Sequence, residues 1–142
     1  THDDLPGVLA SATVLFLPES FTENPAAIEF SLSTKAHLFM ASGRPMLIYG
    51  PECSGTIAYA ASEGVGVIVK QRDPALLTLG LEKALGNVAS VNACREMAVA
   101  CFKRNHDLQT GRARFLSLLS TAGAHADSLV RTASTAPQAQ FK

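Results

Sequence analysis

Short apolar runs alternate along the chain with longer stretches in which apolar residues recur every three or four positions. Three runs have the length of a strand and little polar interruption: Thr13–Leu17, Met46–Tyr49 and Gly66–Val69. Such runs are typical of parallel strands that are buried on both faces. Because helical stretches lie between them, the pattern predicts an α/β fold, a Rossmann-like parallel sheet with flanking helices.

The first two predicted crossover helices carry recognisable start and stop residues. Ser33 or Thr34 is the predicted N-cap of a helix that ends at Gly43, and Ser54 is the predicted N-cap of a helix that ends near Gly64. The strands before these helices end at the same edge of a parallel sheet, where ligands bind in open α/β folds. We therefore expect the first turns of both helices to lie on one edge.

Three further helices follow the last predicted strand, and a short helical turn precedes the first. Asp73 and Pro74 predict the start of the first of the three. Its predicted apolar stripe is Leu76, Leu77, Leu81, Ala84 and Leu85. The second places Val91, Cys94, Ala98, Cys101 and Phe102 on one face, and the third, from about Asp107, places Leu108, Phe115, Leu116 and Leu119 on another. We expect Phe115 and Leu119 to be partly exposed.

Composition limits the class of protein. The chain has 142 residues, enough for one domain with a real core, and the polar, Ala- and Ser-rich residues 121–142 predict a weakly ordered tail. Twelve basic residues balance twelve acidic ones, so nucleic acid is not an expected partner. No apolar run reaches the roughly 20 residues that span a bilayer, so no transmembrane segment is expected.

The three cysteines do not suggest a metal site or a disulfide. Cys53, Cys94 and Cys101 lack metal-ligand spacing. On one helix, Cys94 and Cys101 would lie about 10 Å apart along the axis, too far for a disulfide. We expect reduced, buried thiols in a cytosolic protein.

The most informative chemistry lies at the start of the first crossover helix. Ser31, Ser33, Thr34 and Lys35 surround this start, where unpaired backbone N–H groups and a partial positive charge suit a phosphate. A cation in the first turn opposes the helix dipole, and a bound anion would relieve that conflict. The alternative is a capped helix whose lysine points into water.

These residues resemble a known signature. Ser31-Leu32-Ser33-Thr34-Lys35, followed by Phe39-Met40-Ala41-Ser42-Gly43-Arg44-Pro45, resembles the donor site of GT-B fold glycosyltransferases. The resemblance is to the retaining family that acts on bacterial surface polysaccharides, also called glycosyl transferases group 1. It covers roughly residues 3 to 120, which would form part of the C-terminal, nucleotide-sugar-binding domain.

The resemblance implies an enzyme of the hexosyltransferase type that needs no cofactor or obligatory metal. Lys35 would be catalytic, neutralising the charge that grows on the leaving nucleoside diphosphate. The implied residues of the donor and phosphate site are Ser31, Ser33, Thr34, Glu19, Ser20, Gly50 and Ser54. The implied partners are a nucleotide-sugar donor and an N-terminal acceptor domain of a longer parent chain. The implied location is cytoplasmic, or peripheral to the inner membrane through that domain.

One difference from the family favours an alternative. Relatives carry two glutamates eight positions apart, and the corresponding residues here are Phe30 and Leu38, which accept no hydrogen bond from a sugar hydroxyl. A nucleotide-sugar epimerase of GT-B fold is a second hypothesis within the enzymes. The third, which the difference favours, is a non-catalytic α/β module that binds phosphate or a partner protein.

Overall fold

The computed structural model describes residues 4–22, 24–86 and 89–134. The helices are α1 (Leu5–Ser11), α2 (Thr34–Ser42), α3 (Gly55–Glu63), α4 (Pro74–Leu85), α5 (Ala89–Cys101) and α6 (Leu108–Ser134). The strands are β1 (Leu15–Pro18), β2 (Met46–Tyr49) and β3 (Val67–Val69). A 3-10 turn covers Pro25–Ala27, and a π-helical segment covers Phe102–His106. The chain divides into two compact units, residues 1–106 and 107–142.

The first unit contains a three-stranded parallel sheet with the order β1-β2-β3. This confirms the predicted sheet and its class of fold. β1 starts two residues later than predicted and includes Pro18, which pairs in register with Tyr49. Proline is tolerated there because β1 is an edge strand of the sheet and Pro18 is its last residue.

Both faces of the sheet are covered by helices, and each face has its own core. On one face, Leu17, Ile48, Met40, Ile57 and Cys101 belong to a cluster that joins the sheet to α2, α3 and α5. On the other face, β2 and β3 contribute Leu47, Val67 and Val69, which pack with Ala84 of α4. The helices therefore flank the sheet as the sequence predicts.

The predicted helix ends are largely present. Gly43 and Gly64 follow α2 and α3 in the left-handed conformation, with φ of 63° and 66°. This conformation costs glycine little and ends both helices. Asp73 caps α4, because its carboxylate accepts a hydrogen bond of 2.7 Å from the Ala75 N–H, and Pro74 is the first helical residue.

The predicted apolar stripe of α4 is wrong at three of its five positions and right at Leu77 and Ala84. The leucines at positions 76, 81 and 85 are exposed, and the buried residues of α4 are Gly80 and Ala84. A Cβ at position 80 would lie 2.5 Å from Val69 Cγ2, so the helix approaches the sheet too closely for a larger side chain. Gly80 and Ala84 therefore face β3, Leu77 packs beside them, and the three exposed leucines lie outside this contact.

The buried face of α5 is close to the predicted one. The predicted burial of the cysteines fails at one position. Val91, Ala98 and Cys101 are buried, and Cys94 is half-buried. All three cysteines are free thiols, as expected, but Cys53 is exposed because it lies in the turn between β2 and α3. The expectation of a buried thiol was therefore wrong at this position.

The described part of the second unit is the single helix α6, which has 27 residues. Residues 121–134, which belong to the segment predicted as a weakly ordered tail, are helical, and residues 135–142 lie outside the described residues. Alanine has the highest helix propensity, so an Ala-rich segment that follows a helix readily extends it.

Asp107 starts the helix by accepting a 2.9 Å hydrogen bond from the Thr110 N–H. Phe115 and Leu119 are exposed, as expected. The unit boundary falls at Asp107, before the predicted one at residue 120.

Within the described ranges, no helix combines the length and the apolar character that crossing a bilayer requires.

Candidate functional site

The carboxyl ends of the three strands are joined by backbone hydrogen bonds that continue past the sheet. The N–H of Glu19 donates to the carbonyl of Tyr49 at 2.7 Å, and the N–H of Gly50 donates to the carbonyl of Val69 at 3.1 Å. The loops after β1 and β2 therefore leave the sheet side by side. Glu19 and Gly50, two predicted site residues, become neighbours here: a Cβ at position 50 would lie 2.6 Å from Glu19 Cβ.

The first turns of α2 and α3 are tied together at the same edge. The buried hydroxyl of Thr56 accepts a 2.9 Å hydrogen bond from the N–H of Ser33 and donates to the carbonyl of Ser31 at 3.4 Å. The N–H of Gly55 donates to the carbonyl of Ile28 at 2.9 Å. The predicted common edge for the two helix starts is therefore present.

Lys35 is exposed in the first turn of α2, next to Thr34. Within the described part of the chain, its ammonium makes no hydrogen bond or ion pair. A positive charge at this end of a helix opposes the helix dipole. Solvent or a bound anion would offset this unfavourable interaction between the lysine charge and the helix dipole. The position therefore suits a phosphate, but no contact fixes the lysine side chain there.

Two polar atoms at this edge are buried without a hydrogen-bond partner among the described residues. They are the hydroxyl of Ser54, whose residue is 0% exposed, and Oε1 of Glu19. Buried polar atoms are almost always paired, so each such exception needs an explanation. Both residues belong to the predicted site.

Other predicted site residues contribute less than expected. Ser33 and Ser54 occupy the N-cap positions of α2 and α3, but neither side chain bonds to its helix, so the predicted side-chain caps are absent. Ser31 takes part through its backbone, while Ser20 is exposed in the loop after β1. Among the described residues, no hydrogen bond connects Thr34 or Lys35 with the Glu19–Gly50 pair.

Sequence reasoning missed Thr56 and Gly55. A Cβ at position 55 would lie 2.6 Å from the carbonyl oxygen of Glu29 and 2.7 Å from that of Ser31, so the loop packs directly on this glycine. The only sequence signal was a Gly-Thr pair directly after a predicted cap. That signal does not reveal a partner more than twenty positions away.

The two positions that are glutamates in the resembled family carry exposed apolar side chains. Phe30 is 90% exposed, and Leu38 is also exposed. Neither is part of the core clusters. At these two positions the surface is therefore apolar where the resembled family is acidic.

A second polar cluster joins α2, α3 and the π-helical segment. The hydroxyl of Tyr59 lies 2.7 Å from His106 Nε2 and 3.1 Å from Cys101 Sγ, and it accepts a 3.0 Å hydrogen bond from the Asn105 side chain. The ring of His37 contacts that of His106, with centroids 4.3 Å apart. The sequence does not predict that these two histidines meet, because they lie nearly seventy positions apart.

The environment of this cluster disfavours charge on it. Burial raises the pKa of Tyr59 to about 12, and its hydrogen bond with Cys101 adds to the effect. Burial also lowers the pKa of His106, with a further contribution from His37, while Glu63 acts in the opposite direction. Both groups are therefore neutral near pH 7.

Two arginines outside the strand-end loops are engaged in hydrogen bonds to backbone carbonyls. The guanidinium of Arg44 donates to the carbonyl of Ala10. Arg95 donates to the carbonyl of Gly43 at 2.8 Å and lines an open concave region of about 710 Å³ between the end of α2 and α5. The guanidinium of Arg95 is already engaged in this concavity, which contains none of the predicted site residues. We therefore place the candidate site at the sheet edge.

The described residues contain no group of three or more His, Cys, Asp or Glu side chains arranged to hold a metal ion.

Comparisons of the chain with protein-family models, with curated protein sequences and with solved structures give no match. The glycosyltransferase resemblance therefore rests on the residues quoted above.

Proposed function

We propose that the chain is the donor-binding part of a glycosyltransferase and holds the diphosphate of a nucleotide-sugar at the first turn of α2. The fold supports this proposal in its coarse form, since open parallel α/β sheets bind ligands at the carboxyl ends of their strands. The observation that carries it is the position of Lys35: an exposed ammonium, without a partner among the described residues, in a helix start that Thr56 ties to the next one.

The proposed chemistry follows from the charge that develops during transfer. The bond between the anomeric carbon and the diphosphate oxygen breaks, and its electron pair goes to the leaving diphosphate. Lys35 and the free N–H groups of the first turn of α2 stabilise this growing negative charge. The acceptor hydroxyl forms the new glycosidic bond, and its proton leaves with a base outside this chain or with the diphosphate itself.

Two buried polar atoms at the same sheet edge could hydrogen-bond to the nucleotide-sugar donor. The Ser54 hydroxyl and Glu19 Oε1 lack partners among the described residues. A hydroxyl pairs with a phosphate oxygen, and a carboxylate accepts hydrogen bonds from sugar or ribose hydroxyls. In the proposal, small local movements on donor binding satisfy both atoms.

The proposal also includes the rest of the enzyme. An acceptor domain of the same parent chain supplies the acceptor site, and the complete enzyme works in the cytoplasm or at the inner membrane surface. Retention of the anomeric configuration and independence of metal belong to the proposal through the family resemblance alone.

A non-catalytic module that binds phosphate or a partner protein is the second candidate. The exposed Phe30 and Leu38, in place of the family's glutamates, favour it. The two candidates differ in turnover: the module binds nucleoside diphosphates without releasing sugar from any nucleotide-sugar, even when the parent chain is complete.

The test of donor binding is titration calorimetry of the chain with uridine, guanosine and adenosine diphosphates. We expect one of them to bind and Lys35→Ala to weaken that binding by roughly 1.5–3 kcal/mol, because a charge-assisted contact is lost. This is about one to two powers of ten in affinity. Lys35→Arg should rescue binding only in part, since a planar guanidinium replaces a compact ammonium poorly.

The matched control is Lys83→Ala, which removes an exposed lysine from the last turn of α4. It should leave both binding and stability nearly unchanged. If the wild-type chain binds a diphosphate and Lys35→Ala binds it equally well, the assignment of the donor site to the start of α2 fails.

A further inference from the structure

One face of α6 is apolar and exposed. Leu108, Phe115 and Leu119 are 78%, 61% and 53% exposed. Their spacings of seven and four residues place them in one line on a helix. The helix has 27 residues and is therefore about 40 Å long.

The apolar line continues to the end of the helix as a heptad repeat. Four positions seven apart are Leu108, Phe115, Ala122 and Leu129. Four more, each four residues later, are Arg112, Leu119, Ala126 and Ala133. All but one are apolar, over nearly four heptads, and such a repeat is typical of a helix that packs along its whole length against another helix.

The order of large and small residues along this repeat indicates that the partner helix is a second copy of α6. An antiparallel copy of α6, centred between Ser120 and Thr121, places each position of the first set opposite one of the second. Phe115 then lies opposite Ala126, Leu108 opposite Ala133, and Leu119 opposite Ala122. Every large side chain meets a small one in these layers, which is the arrangement that lets facing helices interdigitate.

The remaining layer pairs Arg112 with Leu129. In this register the aliphatic stem of Arg112 covers the leucine, and its guanidinium reaches the solvent at the edge of the interface. The two-fold axis repeats the pair at the other end of the interface. The one charged position of the repeat is therefore compatible with an antiparallel copy.

A parallel copy fits poorly. It would place Arg112 against Arg112 and Phe115 against Phe115, while Ala122, Ala126 and Ala133 would each face themselves. Like charges at a core position repel, and layers of two alanines beside a layer of two phenylalanines leave space or force strain.

From this complementarity we infer that α6 is a self-association surface, through which two copies of the chain pair as antiparallel helices about a two-fold axis. The same stripe serves both copies, so the interface closes after two chains. This dimer does not depend on nucleotide binding.

The test is sedimentation velocity of the whole chain over a range of concentrations. Wild type should sediment as a dimer at the higher concentrations. Leu119→Glu should be monomeric there, because two buried carboxylates near the axis raise the dissociation constant by about a hundredfold or more. Ser117→Glu, on the opposite face of α6, is the matched control and should stay dimeric. Circular dichroism checks that all variants keep their helix content.

A swap of sizes tests the antiparallel register. Phe115→Ala leaves two layers of paired alanines and Ala126→Phe creates two layers of paired phenylalanines, so each alone should weaken the dimer. The double variant restores one large and one small residue in each layer and should recover most of the affinity. A wild-type chain that stays monomeric, leaving the stripe to another partner, overturns the inference, and so does a dimer that Leu119→Glu does not weaken. A double variant no better than the single ones overturns the antiparallel register.

Discussion

A single hydroxyl, that of Thr56, holds together the two helix starts on which the candidate site depends. It accepts from the N–H of Ser33 and donates to the carbonyl of Ser31, and it is buried. Without it, both backbone groups would lose a partner in a region that is partly closed to water. At the scale of the residue, the geometry of the site is set by a side chain with no direct role in the proposed chemistry.

Thr56→Val should therefore destabilise the chain by about 1–3 kcal/mol, the cost of leaving buried polar groups unpaired. The substitution keeps the shape of the side chain and removes only the hydrogen bonds. Urea unfolding measures the change. Thr78→Val is the control: its hydroxyl donates to the Pro74 carbonyl from an exposed position of α4, so the expected change is within about 0.5 kcal/mol. Equal effects would mean that Thr56 does not hold the loop.

Gly55 should tolerate no side chain. In Gly55→Ala the new methyl group would meet the carbonyl oxygens of Glu29 and Ser31 at 2.6 and 2.7 Å, and these backbone atoms must move. We expect a loss of about 1–3 kcal/mol in the free energy of unfolding. Gly7→Ala offers the opposite case, since nothing lies within 4 Å of its Cβ and α1 is helical there. It should stabilise by about 0.4–1 kcal/mol. A neutral Gly55→Ala would contradict the close packing of the loop.

The sequence indicated where the helices start but not what binds their first N–H groups. Ser33 and Ser54 stand at the N-cap positions, as predicted, yet their hydroxyls do not cap. Capping preferences are local, whereas the partner of the Ser33 N–H comes from the next helix along the chain. Residue types near a helix start therefore predict its position better than its contacts.

At the scale of the element, α4 shows why an apolar stripe can be assigned to the wrong side. Hydrophobicity ranks leucine above glycine, so the predicted stripe followed the leucines. The sheet accepts Ala84 of that stripe and also Gly80, which the stripe omitted, because the helix lies so close to Val69 that a Cβ at position 80 would clash. For a short helix with small residues, the distance between the helix and the sheet decides which face is buried. That distance cannot be predicted from composition.

The π-helical segment contacts Tyr59 of α3 through Asn105 and His106, and this contact should make the stability of the fold depend on pH. Asn105 donates to the Tyr59 oxygen, and the phenolic hydroxyl lies within hydrogen-bond distance of both His106 Nε2 and Cys101 Sγ, so its proton can serve either partner. The pKa of Tyr59, raised to about 12, keeps that proton in place across the ordinary pH range. Glu63, which pairs with Arg104, is the nearby carboxylate, and His37 is the nearby second base.

Stability should therefore fall as the pH falls below about 6.5, the ordinary pKa of histidine. The folded pKa of His106 is lowered, so the unfolded chain takes up the proton first, and the contribution that is complete above that pH is lost down to the folded pKa. Urea unfolding at pH 7.5 and 5.5 measures the loss, which should be smaller in His106→Gln, whose uncharged amide can either donate to or accept from the Tyr59 hydroxyl. An equal loss in both proteins would show that His106 does not carry this dependence.

For the whole molecule, the alternation of apolar runs and helical spacing was enough to predict the parallel sheet. It was not enough to predict how completely the sheet is covered. The centre of the sheet is closed on both faces, with Ile48 and Leu47 in opposite core clusters. The outer strand β1 is closed on one face only: Leu17 is buried, whereas its neighbour Phe16 is 46% exposed and contacts Tyr49. A pattern of apolar residues identifies strands but does not show which face remains open.

This asymmetry predicts unequal costs for two truncations in neighbouring strands. Ile48→Ala removes most of a side chain buried among helices and strands, and should cost about 2–5 kcal/mol in the free energy of unfolding. Phe16→Ala removes a larger side chain but should cost clearly less, because nearly half of it already contacts water and little cavity forms. Urea unfolding of both variants at low protein concentration makes the comparison. A cost for Phe16→Ala as large as that for Ile48→Ala would mean that the open face of β1 is covered in solution.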